Sequence, residues 1–250
     1  MFYSLKLPYM DCGRMSRSMK MSNTRQGGRA LKQRVLELLK SADFEKELES
    51  LSHLPARQVI NPLFSFLYNL DELIRWRAVI AMGEVMAKLA NEDMESARVI
   101  MRRLMWNLND ESGGIGWGSP EAMGEILARN AALSEEYNRI LVSYAKEDGN
   151  FQEHELMQRG VLWGIGRLSQ VRPEQAKDAC PYIMPYLRSP DAVARGLAAW
   201  IMGLLMVKDA RQRLEHLTDD KAEIEIFLDR RFVKRRVKEL AREALDKLMP

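Results

Sequence analysis

The chain has 250 residues, of which 46% are hydrophobic and 29% are charged. This length is enough for one large domain or two small ones with a continuous core. The formal net charge of +3 is low for a dedicated nucleic-acid-binding protein, so composition argues against that class without excluding it.

Cysteine and histidine are scarce. The two cysteines, Cys12 and Cys180, lie far apart, and the chain contains three histidines. This usage predicts a reducing compartment, so we expect a cytoplasmic protein with no disulfide scaffold, no metal site and no cofactor. The apolar run at 196–207 is about half the length of a membrane span, so we expect no association with a membrane.

The N-terminal segment, residues 1–27, is rich in Met, Ser and Arg and lacks the apolar region of a signal peptide. We expect a disordered tail there. A repeat domain is expected over 28–217, and a different kind of element over 218–250.

The middle of the chain is repetitive. Gly83, Gly124, Gly166 and Gly203 recur at intervals of 41, 42 and 37 residues, and the sequence AMGE ends one residue after each of the first two. Each glycine lies in an amphipathic run that follows another amphipathic run. Two helices in about 40 residues is the period of a solenoid of stacked helix pairs.

Residues 71–85 and 189–205 resemble the HEAT/PBS-lyase-like repeat. Both have a short Asp or Pro turn, an arginine eight residues before the glycine (Arg75 and Arg195) and a helix of small residues. The second and third units have Gly and Gln in place of that arginine. The resemblance implies an all-α fold, a HEAT-like α-solenoid of about four to five helix pairs, but this repeat serves many unrelated functions.

Helical periodicity separates two faces of these units. Positions −5, −1 and +2 from each glycine are apolar except for Ser119, which predicts that they form the core. Positions −3 and +1 predict the concave face of the solenoid. They hold Ile80, Glu84, Glu121, Glu125, Trp163, Arg167, Trp200 and Leu204.

The second unit contains the irregular stretch NDESGGIGWGSP at 109–120. Ser119 and Pro120 predict the N-cap and first residue of a shortened helix. The glycines are candidates for an anion site, because they allow backbone amides to crowd beside a helix N-terminus. Asp110 and Glu111 would repel an anion or occupy those amides, and a simple inserted turn is the structural alternative.

Residues 222–248 depart from the repeat. Ile224 and Ile226 alternate with glutamates before a short DRR turn, which predicts a β-hairpin over about 223–236 and a closing helix. We expect the hairpin and the helix to cap the open end of the solenoid. The seven basic residues between Arg230 and Arg242 indicate either an acidic partner or solvated faces.

Tryptophans and charges of both signs surround the glycine-rich loop, as expected for a peptide site or a small zwitterionic ligand. We therefore predict a non-enzymatic binding or scaffold protein that holds a protein or small ligand with its concave face and loop 109–118. Alternatively, the tryptophans pack between repeats and the charges pair along them. The candidate binding residues are Arg77, Glu84, Trp106, Asp110, Glu111, Gly113, Gly114, Gly116, Trp117, Gly118, Glu125 and Trp163.

Two enzyme classes remain as alternatives. Trp106 and Asp110, one helical turn apart, resemble part of the site of HEAT-like alkylpurine DNA glycosylases, although such an enzyme also needs a basic groove. Bilin lyases are built on the same repeat, with no further residue match here. His154 beside two glutamates is a candidate acid–base pair or a solvated turn. No complete catalytic constellation is present, so we assign no catalytic residue.

Overall fold

A computed structural model describes residues 28–109 and 116–249 of the chain. The predicted tail, residues 1–27, lies outside the described residues, as do residues 110–115. The α-helices are α1 (Gly28–Lys40), α2 (Phe44–Ser52), α3 (Ala56–Leu67), α4 (Glu72–Glu92), α5 (Met94–Asn109), α6 (Ser119–Arg129), α7 (Ala131–Ser143), α8 (Glu155–Val171), α9 (Pro173–Ala176), α10 (Cys180–Ile183), α11 (Ala192–Leu204), α12 (Arg211–Leu217) and α13 (Val237–Lys247). Strands β1 (Glu223–Leu228) and β2 (Arg231–Arg236) form the C-terminal hairpin.

The four glycine-centred runs are helices α4, α6, α8 and α11, called the inner helices from here on. They pack side by side in sequence order, and α13 follows α11 in the same row. Outer helix α3 packs against α4, α5 packs against α4 and α6, and α7 packs against α6 and α8. This arrangement confirms the predicted all-α solenoid with a small C-terminal hairpin and a capping helix. Within the described ranges, none of the helices is both long and apolar enough to cross a lipid bilayer.

Polar side chains cap the N-termini of three inner helices, α4, α8 and α11. The Asp71 carboxylate accepts hydrogen bonds from the backbone amides of Leu73 and Ile74, and Asp191 does the same for α11. Nδ1 of His154 accepts from the amide of Leu156 at 3.2 Å, so this imidazole caps α8.

Helix α6 begins one residue earlier than the sequence predicts. Gly118, not Ser119, occupies the N-cap position, and Pro120 is the second helical residue. Gly118 has a φ of 73°, and a Cβ atom built there would lie 2.5 Å from the carbonyl oxygen of Leu67. Only glycine satisfies both conditions, since it has no Cβ and tolerates positive φ.

The repeat glycines mark the places where neighbouring helices touch. A Cβ atom on Gly124 would lie 2.3 Å from Cα of Gly164 in α8, so the backbones of α6 and α8 are in direct contact. Gly166 faces the ring of Trp200 in α11, and Gly203 faces Ala244 in α13. Helix α13 therefore occupies the place of the next inner helix and caps the row.

The predicted core positions are buried in all four units. Side chains at −5, −1 and +2 are at most 6% exposed, and this includes Ser119, the polar exception, at 0%. The periodicity argument is confirmed for this face of the inner helices.

The hairpin forms over the predicted residues but does not cap the end of the solenoid. Asp229 and Arg230 form its two-residue turn with φ values of 48° and 63°, as a tight antiparallel hairpin requires. Phe227 stacks on Trp76 of α4, and Arg230 pairs with Glu45 of α2. The hairpin thus lies across the face predicted to be concave, because its aromatic residues are buried there, and α13 alone closes the end.

The contact between α6 and α8 predicts an intolerance of added volume at Gly124. Gly124→Ala is expected to destabilise the fold by about 1–3 kcal/mol, because the new methyl group meets backbone rather than a movable side chain. Urea unfolding followed by circular dichroism measures the change. Gly28→Ala, where a Cβ has nothing within 4 Å, is the control and should shift stability by about 0.5 kcal/mol or less. Equal effects at the two sites would contradict the close packing.

Candidate functional site

One pocket connects the four inner helices, the end of the glycine-rich loop and the hairpin. It is called the Trp117 pocket here, and it has a volume of about 190 Å³. Its lining comes from the first two turns of α4, α6 and α11, the first three turns of α8 and both strands of the hairpin. A cavity of about 150 Å³ holds a benzene molecule, so this pocket is large enough for one ring-sized group.

Aromatic rings form a continuous wall of the pocket. Trp76 lies between Trp163 and Phe227, with ring centroids 4.6 Å from each. Phe232 meets Phe227 edge-on at 5.3 Å. The indole Nε1 of Trp163 donates a hydrogen bond to the carbonyl oxygen of Phe227 at 2.5 Å, which fixes the hairpin against α8.

Glu121, in the first turn of α6, supplies a carboxyl group to this pocket. Its Oε2 atom is buried and has no hydrogen-bond partner among the described residues. Burial raises the pKa of Glu121 above its ordinary value, and the opposing effects of its own backbone amide and of Arg75 are smaller. The carboxyl group lies against Gly160 of α8, where a Cβ atom would come within 2.8 Å of it.

The basic groups near the pocket have acidic partners of their own. Arg75 pairs with Glu72 at 2.9 Å within α4. Arg159 of α8 pairs with Asp191 at 2.8 Å and with Glu155 at 2.5 Å. In the hairpin, Glu225 lines the pocket and stands opposite Lys234. Glu121 is therefore a buried acidic group at the pocket to which the structure gives no ion-pair partner within the described ranges.

Trp117 and Gly118 connect the glycine-rich loop to the pocket. Both residues line it, and Nε1 of Trp117 is a buried donor without a partner in the described part of the chain. Gly116 is buried beside Met157 and the backbone of Asn107. Unpaired buried polar atoms are uncommon in native proteins and call for an explanation. Here two of them, Trp117 Nε1 and Glu121 Oε2, belong to residues that line one pocket.

Two predicted site residues instead form an internal ladder of charges. Glu125 is 1% exposed, and its carboxylate accepts hydrogen bonds from Nε of Arg129 and from Nε of Arg167, each at 2.6 Å. Glu84 pairs with Arg129 on the next inner helix. These residues therefore follow the alternative interpretation of the sequence, in which charged side chains pair with one another along the repeats.

The structure separates other candidates from the pocket. The Arg77 guanidinium donates to the carbonyl oxygens of Leu39 and Ser41 and lies over the ring of Phe44, so it anchors α1 and α2 to α4. Trp106 is 71% exposed on α5 and does not line the pocket. The remaining candidates, Asp110, Glu111, Gly113 and Gly114, lie outside the described residues. Of the two residues that resemble part of a glycosylase site, Asp110 is therefore outside the described ranges, and Trp106 lies on the surface of α5.

Several lining residues were missed by the sequence analysis. Trp76 stands four residues before Ile80, so the same helical periodicity places it on that face. Phe227 and Phe232 reach the pocket only because the hairpin folds onto the inner helices, and no local sequence pattern predicts that contact. Across residues 28–109 and 116–249, no three His, Cys, Asp or Glu side chains are grouped to hold a metal ion.

Comparison with known proteins agrees with this architecture. The sequence pattern of the HEAT-like repeat matches residues 155–205, which run from α8 to α11. The protein is a HEAT-like repeat solenoid. An engineered protein of known crystal structure has the same fold, with a TM-score of 0.51, 15% identity and coverage of 87% of this chain and 96% of that chain. An archaeal HEAT-like repeats protein from Thermococcus onnurineus NA1 aligns with a TM-score of 0.44 at 15% identity, over 90% of this chain and 82% of that chain.

One relative is similar in sequence. An uncharacterized protein of Archaeoglobus fulgidus is 32% identical over 126 residues, which is 50% of this chain. The match spans 60% of that relative's length. The likeness to the engineered protein shows the fold alone.

The charge ladder predicts a large stability loss when its central carboxylate is removed. Glu125→Ala leaves two partly buried guanidinium groups without their shared partner, which is expected to cost about 3–5 kcal/mol of unfolding free energy. Glu92→Ala removes the partner of Lys88 at a largely exposed pair and should cost about 0.5 kcal/mol or less. Chemical denaturation of both variants makes the comparison, and similar losses would show that Glu125 is not a structural carboxylate.

The unpartnered carboxyl group predicts the opposite result at Glu121. Because its pKa in the folded state is raised, ionisation opposes folding as pH rises through that pKa, whereas below the ordinary pKa both states are protonated and the cost disappears. Glu121→Gln should therefore raise Tm at pH 7 by about 2–4 °C, and this gain should vanish near pH 4. Thermal melts of both proteins from pH 4 to 8 test the sign. A destabilised variant at pH 7 would mean that the carboxylate is satisfied in the fold.

Proposed function

We propose that this HEAT-like solenoid is a non-catalytic binding module that takes a small group of its partner into the Trp117 pocket. The observation that carries the proposal is the pairing of two unsatisfied buried atoms, Oε2 of Glu121 and Nε1 of Trp117, on residues of one aromatic-walled pocket. One is an acceptor and the other a donor, so a ligand with both kinds of group would satisfy them.

The rim of the pocket favours a macromolecular partner. Leu156 lines the pocket at the start of α8 and is 45% exposed. Leu73, beside the lining residue Glu72 at the start of α4, is 41% exposed, and Leu70 in the preceding turn is 91% exposed. Exposed apolar side chains grouped on one surface are typical of protein interaction sites. A partner protein would cover these leucines while one of its side chains enters the pocket.

The hairpin supports the same interpretation. It covers the inner helices with Phe227 and leaves a pocket rather than an open groove, so a ligand is enclosed by elements distant in sequence. Such enclosure is typical of sites that recognise one particular group. The predicted use of the concave face is retained in this narrower form, with Trp117, Gly118 and Trp163 as its predicted members.

Affinity capture from native cell extract tests the proposal with two tryptophan variants. Trp117→Ala removes a wall of the pocket, and Trp106→Ala removes an exposed tryptophan outside it. We expect a specific partner that wild type and Trp106→Ala retain and Trp117→Ala loses, identified by mass spectrometry of the eluates. Circular dichroism verifies that each bait is folded.

The outcomes separate the two tryptophan surfaces. Loss with Trp106→Ala alone would move the site to the surface of α5. Identical material on all three baits would remove the binding role of the pocket. A second folded variant, Glu121→Gln, should behave as Trp117→Ala does, and it guards against a trivial loss of structure because it is expected to be the more stable protein.

A further inference from the structure

We infer that the Trp117 pocket recognises an organic ammonium group, with the Glu121 carboxylate as its counter-ion and the surrounding rings as its apolar walls. This inference rests on the proposed binding function and names the ligand chemistry. The group is the ammonium end of a lysine side chain, methylated or not, or a free amine of the same size.

Charge is the first reason. The guanidinium groups of Arg75 and Arg159 are each held by carboxylates, and Lys234 stands opposite Glu225 in the hairpin. Glu121 has no such partner within the described residues. A buried carboxylate without a counter-ion is costly, and a ligand cation that pairs with it removes this cost. An anionic ligand would instead bring a second negative charge beside it.

The aromatic walls are the second reason. Trp76, Trp117, Trp163 and Phe232 line the pocket together with Glu121. Indole rings attract ammonium groups through their electron-rich faces, and clusters of such rings recognise methylated ammonium groups in other proteins. The same rings pack against the methylene chain that carries the charge, so they suit a lysine side chain better than an inorganic cation.

Size is the third reason. The volume of about 190 Å³ holds one side-chain end but not a nucleotide or a folded segment. Gly160 leaves room for the Glu121 carboxyl group at this pocket, because a Cβ atom on Gly160 would come within 2.8 Å of it. Nε1 of Trp117 is then free to donate to a carbonyl oxygen of the ligand backbone, since an ammonium group cannot accept that bond.

Proton linkage follows from this arrangement. The charged groups that face Glu121 are Glu72 and Arg75 from α4, Arg159 from α8 and Glu225 from β1. Burial raises the pKa of Glu121 in the free protein, and a bound cation lowers it. Binding of the ammonium group should therefore weaken as pH falls through the raised pKa of Glu121. This dependence should be absent in Glu121→Gln, which keeps the other charges.

Calorimetric titration of the full chain with four defined probes tests the inference. The probes are N-acetyl-lysine methylamide, its Nε-trimethylated form, its uncharged Nε-acetylated form, and tetramethylammonium chloride. We expect the two charged lysine probes to bind at least tenfold more tightly than the uncharged one. Glu121→Gln should remove at least that tenfold difference, and Trp106→Ala should leave it unchanged.

The charged probes also separate the two sources of the group. Tighter binding of the lysine derivatives than of tetramethylammonium assigns the ammonium to a protein side chain, and the reverse order assigns it to a free amine. Both orders require the dependence on Glu121.

Two results would overturn the inference without touching the proposed function. One is equal binding of charged and uncharged probes that Glu121→Gln does not change. The other is no heat from any charged probe up to about 10 mM, while Trp117→Ala still loses the captured partner. If Trp117→Ala captures the same partner as wild type, the proposed function itself fails.

Discussion

At Gly124 the backbone of α6 touches the backbone of α8 at Gly164, and a methyl group on Gly124 would overlap the neighbouring helix. This contact sets how closely two successive repeats approach, and Gly166 and Gly203 set the next two approaches against Trp200 and Ala244. Dispersion and apolar burial stabilise such dense packing, but two helices approach this closely only where no side chain lies between them. The order and spacing of the inner helices depend on it.

Close spacing of the inner helices has two consequences for their charged face. It brings Glu125 within hydrogen-bond distance of arginines on two helices, so a buried carboxylate is satisfied and joins the repeats. One turn earlier on the same helix, Glu121 faces Gly160 and has no arginine ion pair among the described residues, where Arg75 and Arg159 are held by other carboxylates. Two glutamates four residues apart thus have different environments, one suited to stability and the other to binding.

The hairpin converts this face into a site. Phe227 is 2% exposed against Trp76, and the bond from Trp163 to its carbonyl oxygen holds the strand in place. A bare solenoid would present a wide groove to solvent. With the hairpin in place, the groove becomes a pocket of side-chain size, and the unpaired atoms of Trp117 and Glu121 lie on residues at its wall. The binding specificity that we propose therefore depends on an element that is not part of the repeat.

The repeat, the core positions and the hairpin residues were all readable from the sequence, because helix and strand periodicity and glycine spacing are local signals that burial of apolar side chains enforces. The boundaries of β1 and β2 followed the same rules, whereas Ser119, the polar exception to the core pattern and the predicted N-cap, is a fully buried first residue of α6. Tertiary structure alone decided where the hairpin lies and which of the charges pair. By local pattern, Arg77, Glu125 and Trp117 were equally good candidates for ligand binding. The tertiary contacts show instead that Arg77 anchors α1 and α2 to α4 and that Glu125 belongs to the charge ladder. Arg77 bonds to backbone 36 and 38 positions away and Glu125 pairs with Arg167 at a separation of 42 positions, and no short-range propensity encodes the free energy that selects such contacts.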